Sequence, residues 1–372
     1  PLKARNGTLT IDAGELLRID GTVRARQENG ATQATLGMNG SVGRLGAAPW
    51  LETIRGDWQL QAEGSFETRT IVLRQATLKG PAGSLTGSGQ IDRRNDTGDL
   101  TFTAEAISVA FAKLLPATSW QSLQARGRLN GKLMQPTIAA IVTADQLRFE
   151  GVALTRGTAN LDAVVQPDGV RQARLQSELE GIVLPAANGR NRTTRASLSA
   201  LVRQTRDGLV SLQDFKLASP VLTAQGSGQF DPKQILASGK VQIEAGDLAV
   251  FAQALDKAVA GKLQLTLQAE QRGDRTDLAL DGTLENGTLP ESPAPLLAPQ
   301  VSVRLRGALE PDEAWQIGSL SVQSGAGKIE AQGQGKGRYG SGQASWDIAN
   351  LAAVDPRLAG RMDGPAGDTH RD

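Results

Sequence analysis

Apolar and polar residues alternate one for one through most of this chain, and that period of two dictates strands with one dry face and one wet face. Between Lys262 and Gln271, Leu263, Leu265, Leu267 and Ala269 fall on one side, with Gln264, Thr266, Gln268 and Glu270 on the other. Asp277 to Glu285 repeats the design through Leu278, Leu280, Gly282 and Leu284. Val301, Val303 and Leu305 do so again between Ser302, Arg304 and Arg306. The same cadence runs through Leu100, Phe102 and Ala104, through Leu161, Ala163 and Val165, and through Val241, Ile243 and Ala245.

Gly, Asn and Asp punctuate these segments every 8 to 12 residues or so, which predicts an all-β chain of about 30 strands. A twisted open sheet of that many strands curls or splits. The expected architecture is therefore an elongated, curled or β-helix-like, repetitive sheet with an apolar concave face. Composition agrees: Gly is abundant at 43 of 372 residues, and aromatic anchors make up only 3%. Three segments depart from the alternation. Asp247 to Ala260 sets Leu248, Phe251, Leu255 and Val259 at helical spacing behind an N-cap candidate, Asp247, and predicts a short amphipathic helix. Ile107 to Leu115 and Ala47 to Ile54 are weaker counterparts, read as covers for an end or open side of the sheet. Four prolines between Leu289 and Pro299 predict a loop or edge crossing.

A larger unit recurs. The word GSGQID at Gly87 to Asp92 returns as GSGQFD at Gly226 to Asp231, and more loosely as GQGKG at Gly333 to Gly337. Each copy comes after an alternating strand (Ile71 to Leu78, Val210 to Leu217, Ile317 to Val322) and precedes another strand, then a helix candidate. The unequal intervals exclude a rigid short-repeat solenoid. The expected organisation is a continuous β region over 1–356, with units near 70–165, 209–307 and 315–356. From Arg357 the alternation fades, predicting a poorly ordered tail over 357–372. The third unit runs off the chain, which opens on Pro1, so the sequence reads as a segment of a longer protein.

Many chemistries lack their residues. There is no Cys, and the only His is His370, so thiolate metal sites, cysteine nucleophiles and histidine bases are closed off. Lys plus Arg number 40 against 39 Asp plus Glu, with no basic block, so nucleic acid is not a partner by this reading. No apolar run is long enough to span a bilayer as a helix. Gly335 to Gly340 matches a dinucleotide-type glycine pattern, but the next residues, Ser341 to Asn350, read as a strand, the wrong context for a nucleotide. Asp92 and Asp231 read as turn-stabilising ends of their strands, with calcium ligation the weaker alternative. A carboxylate pair for glycoside cleavage is left open by sequence, with nothing to single one out. No cofactor, metal or catalytic residue is expected, and the chain is not read as an enzyme.

The L-x-G-x-G-x-[IF]-D word, the A-x-[IL]-x-x-[FL] helix starts and the L-x-G-x-L strands after them resemble the TamB branch of the AsmA-like envelope proteins of Gram-negative bacteria. The resemblance covers roughly Thr8 to Gly360. It implies a periplasmic protein, anchored in the inner membrane by a segment outside this chain. Its taco-shaped sheet would carry phospholipids between membranes and serve outer-membrane protein assembly beside a barrel partner of the TamA kind.

Together these readings predict a groove for phospholipid acyl chains. Its lining is expected to include Leu85, Ile91, Phe102 and Leu161 in the first half. In the second half it would be Phe230, Val241, Ile243, Leu263, Leu265, Leu267, Leu278, Leu280, Val301, Val303 and Leu305. Gly87, Gly89, Gly226, Gly228, Gly333 and Gly335 fall in the same phase and are expected to remove bulk, keeping the groove open and letting strands bend or bulge. The competing readings are a β-helix scaffold or adhesin, with or without carbohydrate-lyase activity, and a chaperone-like platform for outer-membrane strands.

Overall fold

The structure, a computed structural model, describes residues 4–12, 17–28, 31–43, 55–149, 152–184, 192–231, 236–251, 259–288, 299–310, 312–337, 339–349, 351 and 360–366. The chain divides into two compact units, Pro1–Ile182 and Val183–Asp372.

The first unit holds β1 (Ala4–Asp12), β2 (Leu17–Glu28), β3 (Ala31–Val42), β4 (Gly56–Phe66), β5 (Thr70–Gly80) and β6 (Gly83–Asp92). It continues with β7 (Thr97–Ala106), β8 (Thr118–Ser119), β9 (Ser122–Lys132), β10 (Gln135–Phe149) and β11 (Val152–Val165). β12 (Arg171–Leu184) crosses the division. The second unit holds β13 (Arg192–Gln204), β14 (Val210–Ala218), β15 (Leu222–Asp231), β16 (Leu236–Ala245), β17 (Ala260–Arg272) and β18 (Arg275–Thr288). It ends with β19 (Gln300–Leu309), β20 (Ala314–Ser324), β21 (Gly327–Lys336), β22 (Tyr339–Ile348) and β23 (Met362–Ala366).

The all-β class is as expected: the strands form an antiparallel sheet that is not closed into a barrel. Each strand from β13 to β23 pairs with the next. From β1 to β11 the strands pair in the same way, except that β7 pairs with β9, passing β8, whose two residues pair with the end of β10. Most strands run 9 to 15 residues, which is why 23 fill the described residues where turn spacing suggested about 30.

One helix expectation needs correction. Ile107 to Leu115 is not an amphipathic α-helix: Ser108–Phe111 is a single 3-10 turn, with Ile107 and Val109 exposed. Nine residues ending at a proline are too few to sustain a helix without a tertiary surface along one side. What the segment buries instead is Trp120, whose indole N–H donates to the Ala106 carbonyl at 2.9 Å and whose ring meets Phe111 at a centroid distance of 5.7 Å. The second candidate opens likewise as a 3-10 turn, Leu248–Phe251, with Asp247 Oδ1 accepting from the Ala249 N–H at 2.9 Å as an N-terminal cap does. Its remainder over 252–258, the third candidate over 47–54, and all but the last residue of the proline-rich stretch lie outside the described residues. Within the expected tail over 357–372, Met362–Ala366 is a strand paired with β22 through Ile348↔Met362 and Trp346↔Gly364, while 357–359 and 367–372 lie outside the described residues.

Among the described residues there is no second layer. Elements in substantial contact are adjacent strands, apart from the two 3-10 turns. Among the described residues no large side chain is fully buried, and the buried apolar residues are few: Trp120, Val250, Leu284, Val301 and five alanines. The chain exposes 23959 Å². Two separate compact units of half this chain's mass would together expose only about 17,000 Å² by the usual scaling.

Candidate functional site: the apolar sheet face

Residues directly paired across an antiparallel ladder project from the same face, so register alone shows whether the expected lining forms one surface. In the second unit it does. One row runs Gly226, Val241, Leu267, Leu280, Leu305 and Leu320 across six strands. Beside it runs Ala224, Ile243, Leu265, Gly282, Val303 and Val322, and next to that Ala245, Leu263, Leu284 and Val301. Phe230 is on the same face, opposite Val210. In the first unit Leu85 pairs with Ala104, Ile91 with Gly98, and Phe102 with Gly87 and Gly127. Leu161 faces Ala140, which pairs with Gly127 in turn. All fifteen expected lining residues therefore lie on the apolar face of their own unit. Most are half-buried by their neighbours; Leu85, Phe230 and Leu267 are 45%, 44% and 40% exposed.

The opposite face is wet and cross-linked by charge. Lys262 sits directly across from Glu285, with Nζ 3.6 Å from the carboxylate, and Arg306 reaches Asp281 at 2.8 Å. Arg128 forks onto Asp99, its Nε donating at 2.6 Å, and Gln225 donates to its cross-strand partner Gln242 at 2.7 Å. These exposed pairs each contribute little stability, but they fix which side of each strand faces water.

The glycine word has a structural counterpart that the sequence reading missed. In every copy the strand before it carries a β-bulge: between Leu73 and Ala76 in β5, Leu212 and Phe215 in β14, and Ile317 and Leu320 in β20. The bulge thus belongs to the neighbouring strand and not to the glycine strand. Its signal was available, since apolar residues otherwise spaced by two are spaced by three at that point in all three copies. The register also moves the third copy by two residues, for Gly333, and not Gly335, stands opposite Ile317 as Gly228 stands opposite Leu212.

The glycines are not equivalent in what surrounds them. At Gly226 a Cβ would come within 2.6 Å of the Lys240 carbonyl oxygen, so this glycine permits close approach of β16. Gly333 and Gly335 lie under the indole of Trp315, with Cζ3 3.7 Å and Cζ2 2.5 Å from where their Cβ atoms would be, and the space there is filled from within. Around Gly228 the face opens. Gly228 pairs with Gly239, and Gly239 with Ala269, leaving a depression of about 600 Å³ ringed by Phe215, Phe230, Val241, Leu267, Leu278 and Leu305.

Other sequence candidates find simple roles. Asp92 Oδ1 accepts from the N–H groups of Arg94 and Asn95 at 2.8 and 3.1 Å, and Oδ2 from the Asn95 side chain at 2.8 Å. The backbone donor of Asn95, then that of Arg94, holds its carboxyl below the ordinary value of 3.8. This is a turn closed by its Asp. Asp231 ends β15, as its counterpart ends β6. Gly335 to Gly340 spans the β21–β22 hairpin, with Lys336 opposite Tyr339, so no helix N-terminus is available to a nucleotide phosphate there. Among the described residues no group of three or more His, Asp or Glu is placed to hold a metal, and no helix is long and apolar enough to cross a membrane.

Fold and face together define an all-β sheet protein whose dry side, among the described residues, has no protein layer over it. Comparison with family models, with curated proteins and with solved structures returns no match.

Proposed function

We propose that this chain is a non-enzymatic segment of a bridge-like periplasmic protein of a Gram-negative bacterium, whose apolar sheet face holds phospholipid acyl chains and passes them between the inner and outer membranes. The observation that carries this reading is the in-register aliphatic face of the second unit, from β14 to β20, without a covering layer among the described residues. A contiguous apolar surface of that kind marks an interaction site. Leu, Val and Ile supply area without directional bonds, at about 0.8 kcal/mol per buried CH2, which suits a chain that must slide more than one that must be recognised. Headgroups remain at the wet margins of the sheet.

Periplasmic location, an inner-membrane anchor outside this chain, a part in outer-membrane protein assembly and a barrel partner of the TamA kind rest on the sequence resemblance and belong to the same proposal. The test is organic extraction of the chain purified from Gram-negative cells in a detergent that retains lipids. Phospholipid recovered at one or more equivalents, and lost when Leu265 and Val303 are both replaced by Asp, supports the reading. A folded chain without phospholipid contradicts it.

A further inference from the structure

The bulges provide a common frame for comparing the two units. Across the unit 1 bulge, Leu73 pairs with Gly89, and the row continues through Leu100, Leu129 and Ile138. Across the unit 2 bulge, Leu212 pairs with Gly228, and the row continues through Gly239, Ala269 and Leu278. The rows match strand for strand and differ mainly in the middle: two leucines in unit 1 become Gly239 and Ala269 in unit 2. The depression of about 600 Å³ lies over that substitution, within the range of small-molecule pockets, about 300–1,000 Å³.

Resting on the lipid reading above, we propose that the Gly228–Gly239–Ala269 depression is a discrete retention site for one alkyl chain, a fixed station on an otherwise continuous face. Two observations name the occupant's chemistry. The equivalent place in unit 1 is taken by two leucine side chains, so the frame is shaped for aliphatic hydrocarbon. Among the described residues that line the depression none is charged, so a phosphate or ammonium headgroup has no ionic partner among them, and a tail occupies it without stranding a charge.

Titration of the purified chain with cis-parinaric acid, a fluorescent fatty acid, tests this. One saturable site is expected, with Ala269→Leu, which restores the unit 1 residue, lowering affinity about tenfold or more through loss of a few CH2 contacts. Gln264→Leu on the wet face of β17 should change nothing. A gain of function guards against misfolding: Leu100→Gly with Leu129→Ala should create a second saturable site in unit 1. Wild-type affinity in Ala269→Leu, or no added site in the unit 1 double variant, overturns the proposal. Phospholipid transfer between vesicles separates it from the broader reading. Transfer with unaltered probe binding in Ala269→Leu defeats the station and keeps the conduit; an Ala269-dependent site without transfer keeps the station and defeats the conduit.

Discussion

Gly239 stands directly across from Gly228, and a Cβ on Gly239 would lie 3.0 Å from the Gly228 Cα and 2.7 Å from the Ser227 carbonyl oxygen. The two strands meet here without side chains between them, and this contact makes the floor of the depression. Gly239→Ala is therefore expected to cost roughly 1–3 kcal/mol, as overpacking does. Gly246→Ala, with nothing within 4 Å of the new atom, should stay within about 0.5 kcal/mol of wild type. Urea unfolding monitored by circular dichroism measures both, and equal effects at the two glycines would contradict the close approach.

The β14 bulge holds Asp214 at a φ of +51°, in the left-handed region. Asp214→Val should destabilise by about 1–2 kcal/mol, and Asp214→Gly should match or exceed wild type. Comparison of their denaturation midpoints tests whether the bulge, rather than the aspartate's charge, sets the requirement.

Asp92 gives a pH dependence of known sign. Its carboxyl in the folded state titrates below 3.8 because the charged form accepts the Asn95 and Arg94 N–H groups. Its stabilising contribution is fully present above the unfolded value and is lost as pH falls through the lower folded one. The stability gap between wild type and Asp92→Ala should narrow in acid below pH of about 4. A side-chain carbon NMR titration of Asp92 with its midpoint at or above 3.8 would refute this.

Trp120 is the most buried aromatic among the described residues, at 8% exposure, and its indole N–H is satisfied by Ala106. Trp120→Ala should cost about 3–5 kcal/mol, and Trp120→Phe less. In a chain keeping Trp120 alone, fluorescence emission should be blue-shifted relative to one keeping Trp315 alone, whose Nε1 bond to Gly337 is exposed.

The alternation of apolar and polar residues made the sheet faces legible before any pairing was known. Leu263, Leu265 and Leu267 meet Ala245, Ile243 and Val241 on one face because a strand has no other way to satisfy a period of two. The bulges were harder to read, since a bulge is a property of two strands together and its only trace in one is a single skipped beat, as between Leu212 and Phe215. The depression was out of reach for the same reason. Gly239 and Ala269 are ordinary residues in their own strands, and only register places them in one row with Gly228, at the positions that Leu100 and Leu129 hold in the separate row of unit 1. Helical spacing in Ile107 to Leu115 misled, because the pattern was right for a buried stripe but the segment was too short to hold an α-helix without a surface beneath it.

If the dry face of the second unit carries acyl chains, lipid must touch that face and not the other. Photo-crosslinking amino acids placed singly at Leu265 and Val303 on the dry face, and at Gln264 and Arg304 on the wet face, read this directly in intact membranes. Phospholipid adducts several times more abundant from Leu265 and Val303 than from Gln264 and Arg304 are the predicted result. Equal yields from the four positions, in a chain that remains folded, would contradict it.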